Sequence, residues 1–231
     1  MDGENGDIDG TENLYHIFRE FPLFENLYLG MQAMNVGMVD LYIQDLESEL
    51  LALYVEIERT PTMEALLVSA MSQMWVFALY ELLRTWKQQA RELVDYGDKL
   101  SSVDEKQKKE LIKEKQTKLA AAAEFTIDKA YYYIEAFKKI EQEPTEIENL
   151  KKAIALIEPI FRLIEALRVT LAKHEIPKTK GMIAQAPGYG RIDMSNGSIY
   201  WQIIHKDNSA TIVSRRSIVE GILDIGRKLK G

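Results

Sequence analysis

The stretch from Met74 to Leu83, MWVFALYELL, has one charged residue, Glu81, and is otherwise apolar almost all the way round a helix. A helix apolar on every side is stable only among other elements that cover it. This requirement shapes the whole chain, which must supply enough partners to surround a helix over about 61–95. Pro61 can open that helix, because an N–H missing from the first turn costs nothing. DYGDKLSS at 95–102 reads as the break after it.

The flanking segments have the right periodicity. Over 36–59, Val39, Tyr42, Ile43, Leu46, Leu50, Leu53 and Ile57 fall on one helical stripe, with Leu41, Leu51 and Val55 on a thinner line opposite. Two apolar lines predict a helix covered on both sides. Residues 103–142 read as one long helix in two parts. The first, DEKQKKELIKEKQTK, is charged and solvated. The second carries a stripe of Leu119, Ala123, Ala130, Tyr133, Phe137 and Ile140. Thr145 followed by Glu148 is a capping-box pattern. It opens a fourth long helix that reaches about residue 174, with a kink expected at Pro159.

After Lys173 the period shortens. GRIDM, SIYWQIIH and ATIVS, separated by SNG and KDNS, predict a three-stranded antiparallel meander. Ser217 with Glu220 reads as the capping box of a final helix with Ile218, Ile222, Ile225 and Leu229 on one side. Three strands and one helix are too little to stand alone, so the module should pack on the helices. The predicted fold is mainly α: a bundle of four long helices with a small C-terminal three-stranded antiparallel β-meander plus helix packed on it. The expected organisation is a disordered acidic tail (1–13), an aromatic arm lying on the body or, as the alternative, on a second subunit (14–34), the helical bundle (35–174) and the C-terminal module (175–231). A chain of 231 residues, 46% apolar, is long enough for one full core.

Charge is unevenly placed. Residues 173–231 hold ten Lys and Arg against five Asp and Glu, a balance of +5, while residues 1–172 sum to −12. Such asymmetry points to an anionic partner for the basic end or to docking of that end on the acidic body. The chain has no cysteine, which excludes disulfides, thiolate metal sites and cysteine nucleophiles. The start, MDGENGDIDG, lacks the basic-then-apolar pattern of a secretory signal. The run at 74–80 is far shorter than the roughly 20 residues that span a bilayer. The expected location is the cytoplasm, without membrane contact.

Candidate sites are few. On the fourth helix, counting about 100° per residue from Leu150, Arg168 falls in the centre of the apolar stripe. A buried arginine needs an anion, and Glu81 is the lone charge of the apolar stretch 74–83 on the central helix. A buried Glu81–Arg168 pair, shared with Arg84, is therefore expected, as an architectural pin or as the polar wall of a small-molecule pocket. The spacing Arg168, five residues, His174 in a helical setting resembles the active-site pattern of HEPN domains. That resemblance implies a metal-independent endoribonuclease with both residues in a cleft, usually between two subunits. Histidine would transfer protons and arginine would steady the charge on phosphate. A histidine in a last helical turn is also favoured by the helix dipole alone.

The three histidines lack the spacing of di-iron or zinc-protease helices, and no nucleotide-binding glycine loop or serine nucleophile elbow occurs. No metal and no cofactor are expected. In the module, Tyr189, Arg191, Tyr200, Trp201, Lys206, Arg215 and Arg216 mix aromatics with cations, the composition that suits single-stranded nucleic acid. Arg215, Arg216 and Ser217 at a helix N-terminus, with Arg191 nearby, form the sharpest candidate anion site. The chain is accordingly read as a binding or regulatory protein rather than an enzyme. A protein partner or self-association is expected, and nucleic acid is a candidate partner through residues 189–216. The HEPN-like RNase is the alternative and a small-molecule sensor the third reading.

Overall fold

The computed structural model describes residues 13–123, 127–173, 182–185 and 191–231, with side chains described outside 122–130 and 173–190. The mainly α fold with a small antiparallel sheet and a closing helix is what the structure shows. The described elements are α1 (Leu14–Ile17), α2 (Leu27–Ile57), α3 (Thr62–Ser101), α4 (Glu105–Ala123), α5 (Ile127–Gln142), α6 (Thr145–Lys173), β1 (Met182–Gln185), β2 (Arg191–Ile192), β3 (Ile199–His205), β4 (Ala210–Ser214) and α7 (Arg215–Lys230).

Helix α3 takes the central position its composition demands, packed between α2 and α6. Trp75, Val76, Leu79, Leu82, Leu83 and Trp86 are buried. Both tryptophan N–H groups donate to backbone carbonyls: Trp75 Nε1 to Val36 at 3.1 Å and Trp86 Nε1 to Pro22 at 2.8 Å. The break expected at 95–102 does not occur, and α3 runs on to Ser101. Gly97 lies inside it as a contact point, since a Cβ there would come within 2.3 Å of Ile147 Cδ1 on α6. Among the described residues, α3 is also the one helix long and apolar enough to cross a membrane. Half of that apolar stretch is buried within the protein, and it is longer than the run at 74–80 suggests.

The N-terminal arm lies on its own chain. Leu14, Ile17, Phe18, Phe21 and Phe24 are buried. Phe18 stacks on Phe24, and Phe21 meets Trp86 edge to face. Helix α2 begins at Leu27, nine residues before the expected position, with Asn26 as its N-cap. The segment read as one helix over 103–142 is two helices, α4 and α5, folded back on each other. Lys115 of α4 sits 3.9 Å from the ring centroid of Phe137 on α5, and its Nζ is 2.8 Å from Glu92 of α3. No described residue of α4 is fully buried, as its charged composition requires.

The sheet is three strands wide. Strand β3 pairs antiparallel with β1 over 202–205, with β2 over 199–200, and with β4 over 200–204. Since β4 occupies one edge of β3 throughout, β1 and β2 share the other. Alternation on β3 buries Ile199, Trp201 and Ile203, as the pattern predicted. Together with Val213 these join the helical core in one continuous cluster. Helix α7 closes the structure with Ile218, Ile222 and Ile225 buried against α6 and the arm. Its cap differs from the expected one: Ser214 is the N-cap and Ser217 completes the box, each side chain bonding the other's backbone.

Candidate functional site

Helix α2 is organised by two sets of heptads on opposite sides. The inner set is Leu29, Val36, Ile43 and Leu50, interleaved with Ala33, Asp40 and Glu47, all buried. The outer set is Leu27, Met34 and Leu41, interleaved with Met31 and Met38, and these five are 37–59% exposed. The expected stripe has the helix rotated. Tyr42 and Ile57 are exposed, Val39, Leu46 and Leu53 are half-buried, and the opposite line of Leu41 and Val55 is exposed rather than covered. Two carboxylates occupy inner positions that hydrophobic residues would ordinarily fill, and methionines occupy the outer ones.

Arg215, the first residue of α7, explains the inversion. Its guanidinium is completely buried. Nε and Nη2 donate to the two oxygens of Glu47 at 3.0 and 2.8 Å, and Nη1 donates to Asp40 Oδ1. Arg216 Nε reaches Glu47 Oε2 at 2.7 Å, and Gln44 Nε2 donates to the other Asp40 oxygen at 2.9 Å. The ring of Trp75 lies 5.9 Å from the Arg215 guanidinium carbon. Burial pushes the Asp40 carboxyl above its ordinary range, against the pull of Arg215. Two carboxylates against two guanidiniums leave the cluster neutral, the condition under which buried charge is tolerated. The turn before β3 seals it: Gly197, at φ 74°, has its Cα over the Glu47 backbone, where a Cβ would come 2.1 Å from the carbonyl oxygen.

Arg215, Arg216 and Ser217 therefore do not form an open anion site. The anion is supplied from within by Asp40 and Glu47, and Ser217 is occupied in the helix cap. The basic module docks on the acidic body, one of the two outcomes its charge asymmetry allowed. Arg191 and Lys206 are exposed, Tyr200 is half-buried, and Tyr189 lies outside the described residues.

The Glu81 group is assembled but lies at the surface. Arg84 Nε is 2.8 Å and Arg168 Nη2 3.7 Å from the Glu81 carboxylate, whose side chain is 47% exposed. Arg168 also lies over the Tyr80 ring. The buried pair expected here is thus a surface one. The reason is helical drift. Leu150, Ile157, Ile164 and Leu171 form the buried seam of α6, and a seam of strict heptads moves about 20° per repeat relative to an ideal helix. By residue 171 it has moved about 60°, which leaves Arg168 on its rim.

The adjoining groove, about 480 Å³ in volume, is bordered by Tyr80, Arg84, Lys87, Arg91, Phe161 and Glu165 and is open to solvent. Sequence reading overlooked Lys87, which is buried, paired with Glu158 and placed 4.0 Å from the Phe161 ring centroid. Burial would raise Glu158, but bonds from Lys87 and Arg162 outweigh it and hold the carboxyl below its usual range. His174 lies outside the described residues, so the Arg168–His174 pairing has no geometry to report. Among the described residues no three His, Cys, Asp or Glu side chains converge as metal ligands.

No family model, curated protein or solved structure matches this chain. The HEPN likeness draws no support from these comparisons, and the chemistry of the chain's own surfaces carries the functional argument.

Further exposed apolar side chains lie on the same hairpin: Val55 near the end of α2, Ile57 where the inner heptad line runs out, and Met63, Leu66, Leu67 and Met74 on α3. Large apolar side chains exposed in this number on one helical hairpin are the usual mark of an interaction surface. Methionine suits that role, because its flexible, polarisable side chain adapts to varied apolar partners.

Proposed function

We propose that this chain is a protein-binding module whose contact surface is the outward face of the α2–α3 hairpin. The observation that carries the reading is the five-residue outer seam of Leu27, Met31, Met34, Met38 and Leu41. Its 3-4 spacing is that of a helix prepared to pack against another helix. In this reading the C-terminal module acts as a clamp. Arg215 fixes the rotation of α2, so the acids stay inside and the methionines stay out. Binding rather than catalysis also agrees with the internal pairing of Arg215 with Asp40 and Glu47.

The test is selection of helical peptides from a displayed library against the full chain. Enriched sequences are expected to share apolar residues at 3-4 spacing and to lose binding to the Met34→Lys/Met38→Lys variant. Enrichment that survives this double substitution would contradict the proposal, as would no enrichment at all.

A further inference from the structure

The outer face of α2 changes character along its length. Taking Ile43 as the inward reference, Met31, Met38 and Tyr42 lie about 100–140° round the helix on one side. Asp45, Glu49 and Glu56 lie about 120–160° round on that same side. The face is therefore apolar in its first half and acidic in its second. Between Arg19 and Arg59 the chain has eight Asp and Glu and no Lys or Arg. Asp40 and Glu47 are taken by Arg215, and Glu20 by Lys230. Among the described residues no cation lies within salt-bridge distance of Glu25, Asp45, Glu49, Glu56 or Glu58. Beside the apolar half, a groove of about 340 Å³ runs between the arm and α2. Tyr15, Arg19, Met31 and Met34 are among the residues that line it, and it offers a socket for a bulky side chain.

We infer that the partner is a basic amphipathic helix of another protein. This rests on the docking reading above and adds the partner's chemistry. The helix would lie along α2, with apolar residues at heptad spacing against Leu27–Leu41 and Lys or Arg residues beside Asp45, Glu49 and Glu56. Charge complementarity selects it over the other occupants. A second copy in parallel would set the same three acids against one another. A second copy in antiparallel, centred on Met34, would place them beyond Leu27, where the helix has ended and the arm turns away. A membrane surface is disfavoured because anionic headgroups repel the acidic half and no exposed cation of α2 attracts them.

The experiment measures binding of the full chain to two labelled synthetic helices by fluorescence anisotropy. Each helix is about 30 residues long, enough to span Leu27 to Glu56 at about 1.5 Å per residue. Both carry the same leucine heptad seam. One has Lys and the other Glu flanking its second half. The Lys helix should bind about tenfold more tightly, as three exposed ion pairs would give, and the preference should fade with salt. Asp45→Lys/Glu49→Lys should reverse the preference while leaving an apolar contribution. Met34→Lys/Met38→Lys should abolish binding of both helices.

Equal binding of the two helices would overturn the charge inference and leave the docking reading intact. Binding of neither would remove both. A concentration-dependent dimer in sedimentation, dissociated by Met38→Lys, would overturn the inference by assigning the face to a second copy. Binding to phosphatidylcholine vesicles, lost in that variant, would overturn it by assigning the face to a lipid surface. All four substituted positions are exposed or at the rim, so circular dichroism of the variants should match the parent.

Discussion

Arg215 and Arg168 both reach back to carboxylates on the α2–α3 hairpin, and they end in opposite environments. Arg215 is fully enclosed with Asp40 and Glu47, while Arg168 meets a Glu81 side chain that is half in water. Desolvation separates them. In water an ion pair gains little, because solvent already satisfies both partners. Inside, each charge has lost its hydration and depends on its partner, so removing one leaves the other stranded. The first pair is structural and the second is incidental to stability, although both look like an arginine beside a glutamate.

The largest expected effect breaks the inner cluster. Arg215→Ala leaves buried Asp40 without a counter-charge and Glu47 with Arg216 alone, and should cost about 3–5 kcal/mol in urea unfolding. Hydrogen exchange should show α7 and β4 losing protection first. An effect below about 1 kcal/mol would place the cluster in the same class as an exposed pair.

An intermediate case tests the scale between the two. Tyr133 donates to Glu92 at 2.6 Å and Tyr96 to Glu141 at 2.7 Å, tying α5 to α3. Burial, together with these carboxylates, raises both phenols above their ordinary value of 10.0. The folded state thus keeps protons that the unfolded state releases. The stabilisation is fully present below about pH 10 and is lost as pH rises through the folded-state values. Thermal melts should fall steeply above pH 10, and Tyr133→Phe/Tyr96→Phe should flatten that decline. Spectrophotometric titration of the tyrosines at an ordinary pKa would remove the argument.

The smallest effect is expected at Arg168. Arg168→Ala should change stability by about 0–1 kcal/mol, and salt should reduce even that. A loss of several kcal/mol would show that the rim of α6 is more enclosed than its exposure indicates.

The contrast also marks what could be seen in the sequence. Local periods were legible: the alternation of Ile199, Trp201 and Ile203 and the line of Ile218, Ile222 and Ile225 translate directly into burial, whereas the all-round apolar centre of α3 is covered on one side and leaves Met74 exposed. The reversal between α4 and α5 was not, because it follows the alanine run at 120–123, whose strong helical propensity marks no turn. The faces of α2 were hidden for a different reason. Apolar residues run almost all round it, so periodicity could not choose which side faces inward. The choice is made by Arg215, 168 residues beyond Glu47, through a bond no local window contains. The signal that could have found it was a pair of acids seven apart, Asp40 and Glu47, in a helix with no cation of its own. Reading Arg215 as half of an external anion site identified its chemistry correctly and overlooked that the chain carries the anion itself.

The central claim is that this cluster turns the methionines of α2 outward. Residue-resolved methionine oxidation of the dilute full chain, followed by mass spectrometry, tests it most directly. Met31, Met34, Met38, Met63 and Met74 should oxidise together and early, with half-buried Met71 slower. Protection of Met31, Met34 and Met38 to the level of Met71 or beyond would mean that the outer face is covered, and would contradict the account.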